Sequence, residues 1–165
     1  MKRIAIITIV LLALAIGLLG AAYSPRVDSD PLLLSPDLAQ TIGYLRFVSA
    51  RIDVLQRADG RLADVLNAGE DASDLLEQAR QARTATEDAL AVVEAVDRQQ
   101  TPPELETLKL ILAQAAQDYV AAGRLVVLFV NTPTEEAHNH AILALDTARA
   151  SLTEAHSRWT RLNPH

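Results

Sequence analysis

Cysteine does not occur among these 165 residues, and methionine occurs only as Met1. The first absence removes disulfides, thiolate metal sites and thiol redox chemistry, and the second leaves no methionine for a Met-His haem axial pair. Aromatic residues are also scarce, at 4%. Positive charge is in short supply: 15 basic residues face 21 acidic ones, a formal charge of -6. Setting aside Lys2 and Arg3 leaves 13 basic residues against 21 acidic ones, or -8, for the rest. A body this acidic disfavours nucleic acid and anionic lipid as partners.

What the chain does have is aliphatic. Half of it is hydrophobic, and 28 residues are alanine, the strongest helix former. The composition points to an all-α chain with room for one domain after an apolar leader.

That leader is the longest uncharged stretch. Between Arg3 and Arg26 lie 22 uncharged residues, and Ile4 to Leu19 is apolar apart from Thr8 and Gly17. At about 1.5 Å per residue, such a helix spans a hydrocarbon core of roughly 30 Å. Residues 1–23 are therefore expected to be a signal anchor or signal peptide, an N-terminal transmembrane or signal helix. Lys2 and Arg3 before it, with Asp28 and Asp30 after it, place the N-terminus in the cytoplasm and export the remainder. Small Gly20 and Ala22 allow cleavage after Ala22, which would make the chain secreted or periplasmic. The apolar core exceeds the roughly 7 to 15 residues of a cleaved signal, which favours a single-pass anchor in the cell membrane. Residues 24–35, with Pro25, Pro31 and several Ser and Asp, read as a linker.

From residue 36 to 165 the spacing predicts an up-down-up-down antiparallel four-helix bundle. Ser35-Pro36-Asp37 opens the first helix, whose seam is Leu38, Leu45, Val48, Ile52, Leu55, Leu62 and Leu66. Asp59-Gly60 interrupts the composition but not the phase, so one helix with a soft spot is expected, ending near Asn67 with Gly69 as cap and with Asp59 splayed into solvent. Ser73 or Asp71 caps the second helix, with Leu75, Ala79, Ala82, Thr86, Ala89, Val93 and Val96 as its seam. Small side chains there let the helices approach closely and leave little room for a cofactor. Glu94 and Arg98 form an i,i+4 pair.

The third and fourth helices are the clearest. Leu105, Leu108, Leu112, Ala115, Tyr119, Ala122, Val126 and Phe129 recur at steps of three and four, as do His138, Ala141, Leu145, Ala148, Leu152, Ala155, Trp159 and Leu162. Only the joint Asn131-Thr132 separates them. Thr101-Pro102-Pro103-Glu104 and Thr132-Pro133-Thr134-Glu135 both read as capping boxes.

Catalytic chemistry finds little footing. Glu135-Glu136-Ala137-His138 contains the Glu-x-x-His spacing of di-iron bundles, but a single copy cannot supply such a site, which needs a second motif and two further carboxylates. His156 has Glu154 close by but only mid-helix Thr153 and Ser157 as candidate nucleophiles, and a straight helix offers no oxyanion hole. No catalytic, cofactor or metal residue is assigned.

Two features point outward. Leu125-Val126-Val127-Leu128-Phe129-Val130 is too long an apolar run for one core to hide, so Leu125, Val127, Leu128 and Val130 form a candidate patch for a second copy or a protein partner. Tyr119 and Trp159 are candidate ligand-facing rings. The expectation is a membrane-tethered extracytoplasmic bundle acting as a non-enzymatic structural or protein-interaction module. The alternative is a small-ligand-binding or sensor-like bundle.

Overall fold

Proline at residue 36 is the first residue of helix α1, Pro36–Ala68, where its locked φ suits the helix and its missing N–H leaves nothing unpaired. The computed structural model describes residues 26–27, 30–31, 36–68 and 75–163. The expected leader and the caps Gly69, Asp71 and Ser73 lie outside them. Three further helices follow: α2, Leu75–Arg98; α3, Glu106–Asn131; and α4, Glu135–Leu162. Among the described residues no helix is long and apolar enough to cross a membrane.

The chain divides into two compact units, Met1–Gly43 and Tyr44–His165. In the first, strand β1 (Arg26–Val27) pairs antiparallel with β2 (Asp30–Pro31), Arg26 opposite Pro31 and Val27 opposite Asp30. This short ribbon falls inside the stretch read from sequence as linker. Leu38, expected on the seam, is 46% exposed.

The second unit is a helical bundle, and its cross-helix contacts give the direction of each rod. Arg61 pairs with Asp88, joining α1 to α2. Thr86 lies against Gly123, joining α2 to α3. Asp118 accepts from Ser151 at 2.6 Å, and the Phe129 and His138 rings meet at 4.8 Å, so α3 and α4 run in opposite senses. Trp159 Nε1 donates to the Leu45 carbonyl at 2.9 Å while Arg149 meets Asp59, so α4 also runs against α1. Numbers rise on one helix as they fall on its neighbour, as short joints require.

The soft spot at Asp59-Gly60 leaves α1 unbroken. Gly60 faces open space, so the missing side chain weakens the helix by only its intrinsic penalty, about 1 kcal/mol. All eight seam residues predicted for α3 are buried. In α4 the seam from Ala141 to Ala155 is buried, while His138, Trp159 and Leu162 are partly so. The seam of α2 is rotated. Gln78, Ala82, Ala85, Ala89, Val92 and Val96 are buried, whereas Leu75 is exposed and Ala79, Thr86 and Val93 are only partly covered.

Both capping boxes are corrected. Pro102 precedes Pro103 and so is barred from helical ψ; it sits at φ -56°, ψ 139°. The chain therefore starts with a 3-10 turn at Pro103–Leu105 before α3, and the Thr101 hydroxyl donates to the Gln99 carbonyl instead of capping. At the next joint Thr132 ends α3, its N–H donating to the Leu128 carbonyl. The cap is Thr134, extended at φ -130°, ψ 152°, whose hydroxyl accepts from the Ala137 N–H at 3.1 Å. The joint is thus residues 132–134, and Glu135 begins α4 rather than closing a box.

Candidate functional site

Two places in the bundle concentrate side chains that the simple stripe pattern does not explain. The first is polar and inside. Asp59 occupies a seam position on α1, and its side chain is 25% exposed. It is not splayed into water. Arg149 reaches it from α4 with Nε to Oδ1 at 2.7 Å and Nη2 to Oδ2 at 3.3 Å, and the Tyr119 hydroxyl donates to Oδ1 from α3 at 3.1 Å. A carboxylate at this depth persists because both oxygens are engaged.

The electrostatics follow from that contact. Burial, reinforced by the Asp59 charge and its acceptor role and partly offset by Arg149, pushes the Tyr119 phenol well above its ordinary range. The hydrogen bonds to Asp59 raise the Arg149 guanidinium, against some loss of solvation. These shifts keep tyrosine neutral and arginine charged across the physiological range. Through these contacts the cluster ties three helices together.

Tyr119 and Trp159, expected as ligand-facing, are not brought together. Their partners on α1, Asp59 and Leu45, are 14 residues apart in sequence, about 21 Å along the helix. Each polar atom already has a protein partner, and the larger grooves described below are lined by other residues. The sequence reading splayed Asp59 into solvent and gave it no partner; an acid in phase with Leu55 and Leu62 was the available signal.

The second place is on the surface between α2 and α3. Leu75, Leu76 and Ala79 from α2 and Val130 from α3 line an open groove of about 760 Å³, rimmed by Arg80 and Arg83. A second opening of about 280 Å³ shares Arg83 and Glu87 and adds Arg124 and Val127. Thr86, which lines the second opening, also approaches Gly123 closely. A Cβ at residue 123 would fall inside contact distance of Thr86 Oγ1, with Thr86 Cβ only 3.1 Å away.

The four patch residues separate here. Leu128 is 52% exposed, Leu125 and Val127 pack partly against the core, and Val130 turns inward at 6%. The largest exposed apolar side chains the patch did not include are Leu76, at 82%, and Leu110 and Leu143. Arg80 donates to Glu77 at 2.8 and 2.9 Å and, with Gln81, holds that carboxyl below its usual range.

His138, of the Glu-x-x-His spacing, meets the Phe129 ring at a tilt, and His140 is exposed. Among the described residues no group of three or more His, Asp or Glu is placed to hold a metal ion. His156 meets the edge of Trp159 at 5.8 Å. What the groove can do chemically is receive apolar side chains flanked by charge. No family model, curated protein or solved structure matches this chain, so its function is argued from these surfaces alone.

Proposed function

We propose that this chain is a membrane-tethered, extracytoplasmic helical bundle that works as a non-enzymatic structural or protein-interaction module. The observation that carries the reading is the distribution of exposed large apolar residues. Of the eight among the described residues, five (Leu75, Leu76, Leu90, Leu110 and Leu128) belong to α2 and α3. Two of them, Leu75 and Leu76, line the larger groove, and exposed apolar side chains at a groove mark a contact surface. The tether rests on the sequence of residues 4–19 and on the charges that flank it.

A ligand site between Tyr119 and Trp159 is not adopted, since Asp59 and the Leu45 carbonyl already engage both polar atoms. The test is fractionation of cells expressing the full chain, followed by external protease and affinity capture from the membranes. The expected result is a chain retained in carbonate-washed membranes, digested from the outer side, and recovered with a stoichiometric protein companion or a second copy. A chain found in the cytosol, or recovered alone as a monomer, overturns the reading.

A further inference from the structure

A smaller pocket opens between the end of α1 and the first half of α4. Its volume is about 230 Å³, below the roughly 300 Å³ at which pockets for drug-sized ligands begin. Leu66 and Leu145, both buried, give it an apolar floor, with Ile142 beside them. Around that floor stand the polar side chains of Asn67, His138, Asp146 and Arg149. The Asn67 amide and the His138 imidazole make no side-chain hydrogen bond among the described residues, and the Phe129 ring lies against His138 with centroids 4.8 Å apart.

Both signs of charge meet there with capacity to spare. A guanidinium carries five N–H groups; Arg149 donates from Nε and Nη2 to Asp59 at 2.7 and 3.3 Å and reaches Asp146 from Nη1 only at 3.4 Å. Asp146 has no closer partner, and its side chain is 62% exposed against 44% for Arg149. Asp59 anchors the guanidinium from within the bundle, so the cation is held in place before anything binds. A simple anion entering the pocket meets the Asp146 carboxylate, and a simple cation meets Arg149; like-charge approach opposes both. A small molecule that carries both charges and a short apolar body meets no such opposition.

We propose that this pocket binds a free aliphatic α-amino acid, with its carboxylate on Arg149, its ammonium on Asp146 and its side chain over Leu66, Ile142 and Leu145. Asn67 and His138 supply further donors and acceptors at the rim for the same two polar ends. The site goes beyond the interaction-module reading and is independent of it.

The test is calorimetric titration of the full-length chain in detergent with L-valine, L-leucine and L-isoleucine, and with two leucine analogues that each lack one charge: 4-methylpentanoate, without the ammonium, and 3-methylbutylamine, without the carboxylate. The expected result is saturable one-to-one binding of at least one of the three amino acids, with leucine binding about tenfold or more tighter than either analogue, because each analogue leaves one charged partner in the pocket unmatched. Asp146→Asn is expected to bring leucine down to the level of 4-methylpentanoate, since the ammonium then gains nothing. Ile142→Trp, which fills the space over the apolar floor, is expected to abolish binding of all five probes.

No saturable heat from any of the three amino acids overturns the proposal. Either analogue binding as tightly as leucine overturns the two-charge recognition on which it stands. Leucine binding that Asp146→Asn and Ile142→Trp leave unchanged, with wild-type helicity by circular dichroism, places the ligand outside this pocket and overturns it as well. None of these results bears on the capture of a protein companion from membranes, which tests the interaction-module reading alone.

Discussion

Asp59 and Arg149 stand 90 positions apart in sequence and meet with Nε and Nη2 of the arginine on the two carboxylate oxygens, at 2.7 and 3.3 Å. The pair fixes the rotation and level of α4 against α1. Through the Tyr119 hydroxyl it fixes α3 as well.

Removing the acid is therefore expected to be worse than removing the base. Asp59→Ala leaves the buried Tyr119 hydroxyl without a partner, and should lower stability by about 1–2 kcal/mol even after the gain of a better helix former. Arg149→Ala leaves Asp59 bonded to Tyr119. Because the arginine side chain is 44% exposed, the loss should stay below about 1 kcal/mol. Urea unfolding followed by the fluorescence of the single tryptophan, Trp159, measures both. Equal losses, or the reverse order, would contradict the geometry.

Tyr119 adds an alkaline limb. Its folded pKa is raised above 10.0 by burial first and by Asp59 second, so the folded chain keeps a proton that the unfolded chain releases. This stabilising contribution is fully present below about pH 10 and is lost as pH rises beyond it. Tyr44 moves the same way: burial raises it, Glu106 adds to the rise, and nearby Thr101 partly offsets it, although its hydroxyl has no aligned hydrogen-bond partner. Tyr119→Phe should reduce stability by about 1 kcal/mol at neutral pH and flatten the decline above pH 10. An unchanged alkaline slope would sink the assignment.

Gly123 lets α3 come close to α2 at Thr86. Gly123→Ala forces its new methyl against Thr86, and overpacking of this kind should reduce stability by about 1–3 kcal/mol. Thr86→Ala in the same chain removes the clashing hydroxyl, leaving an approach of 3.1 Å at the β-carbon. Partial rescue is expected in thermal unfolding. No rescue would show that the spacing is set elsewhere.

The corrected caps separate cleanly. Thr134→Ala should lose about 1 kcal/mol, whereas Thr132→Ala and Thr101→Ala, which cap nothing, should stay within roughly 0.5 kcal/mol of wild type. Three denaturant titrations decide it, and a loss at Thr132 equal to that at Thr134 would restore the box read from sequence.

How much of this was legible in the sequence varies by helix, and the reason is contrast. On α3, leucine, valine, tyrosine and phenylalanine alternate with Glu, Lys, Gln and Asp, so only one rotation hides the apolar face, and every seam residue is buried. On α2 two of the flanking positions carry similar groups: Thr86 beside Ala85 and Val93 beside Val92. The contrast between the two rotations is then smaller than on α3, and the helix buries Ala85 and Val92 while Thr86 lies against Gly123. Within the apolar run of α3, Leu128 is exposed while Val130 turns in.

The number of helices, their joints and the unbroken run through Gly60 were determined by periodicity and by proline, both of which act within a few residues of chain. The starts of α3 and α4 were also local in origin, set by the Pro102-Pro103 pair and by Thr134. The tertiary structure alone decided what Asp59 does and which face of α2 is left uncovered, because each depends on the angular setting of a helix against neighbours far away in sequence. A periodic stripe specifies that a face is buried; only the packed neighbours specify which residue stands opposite.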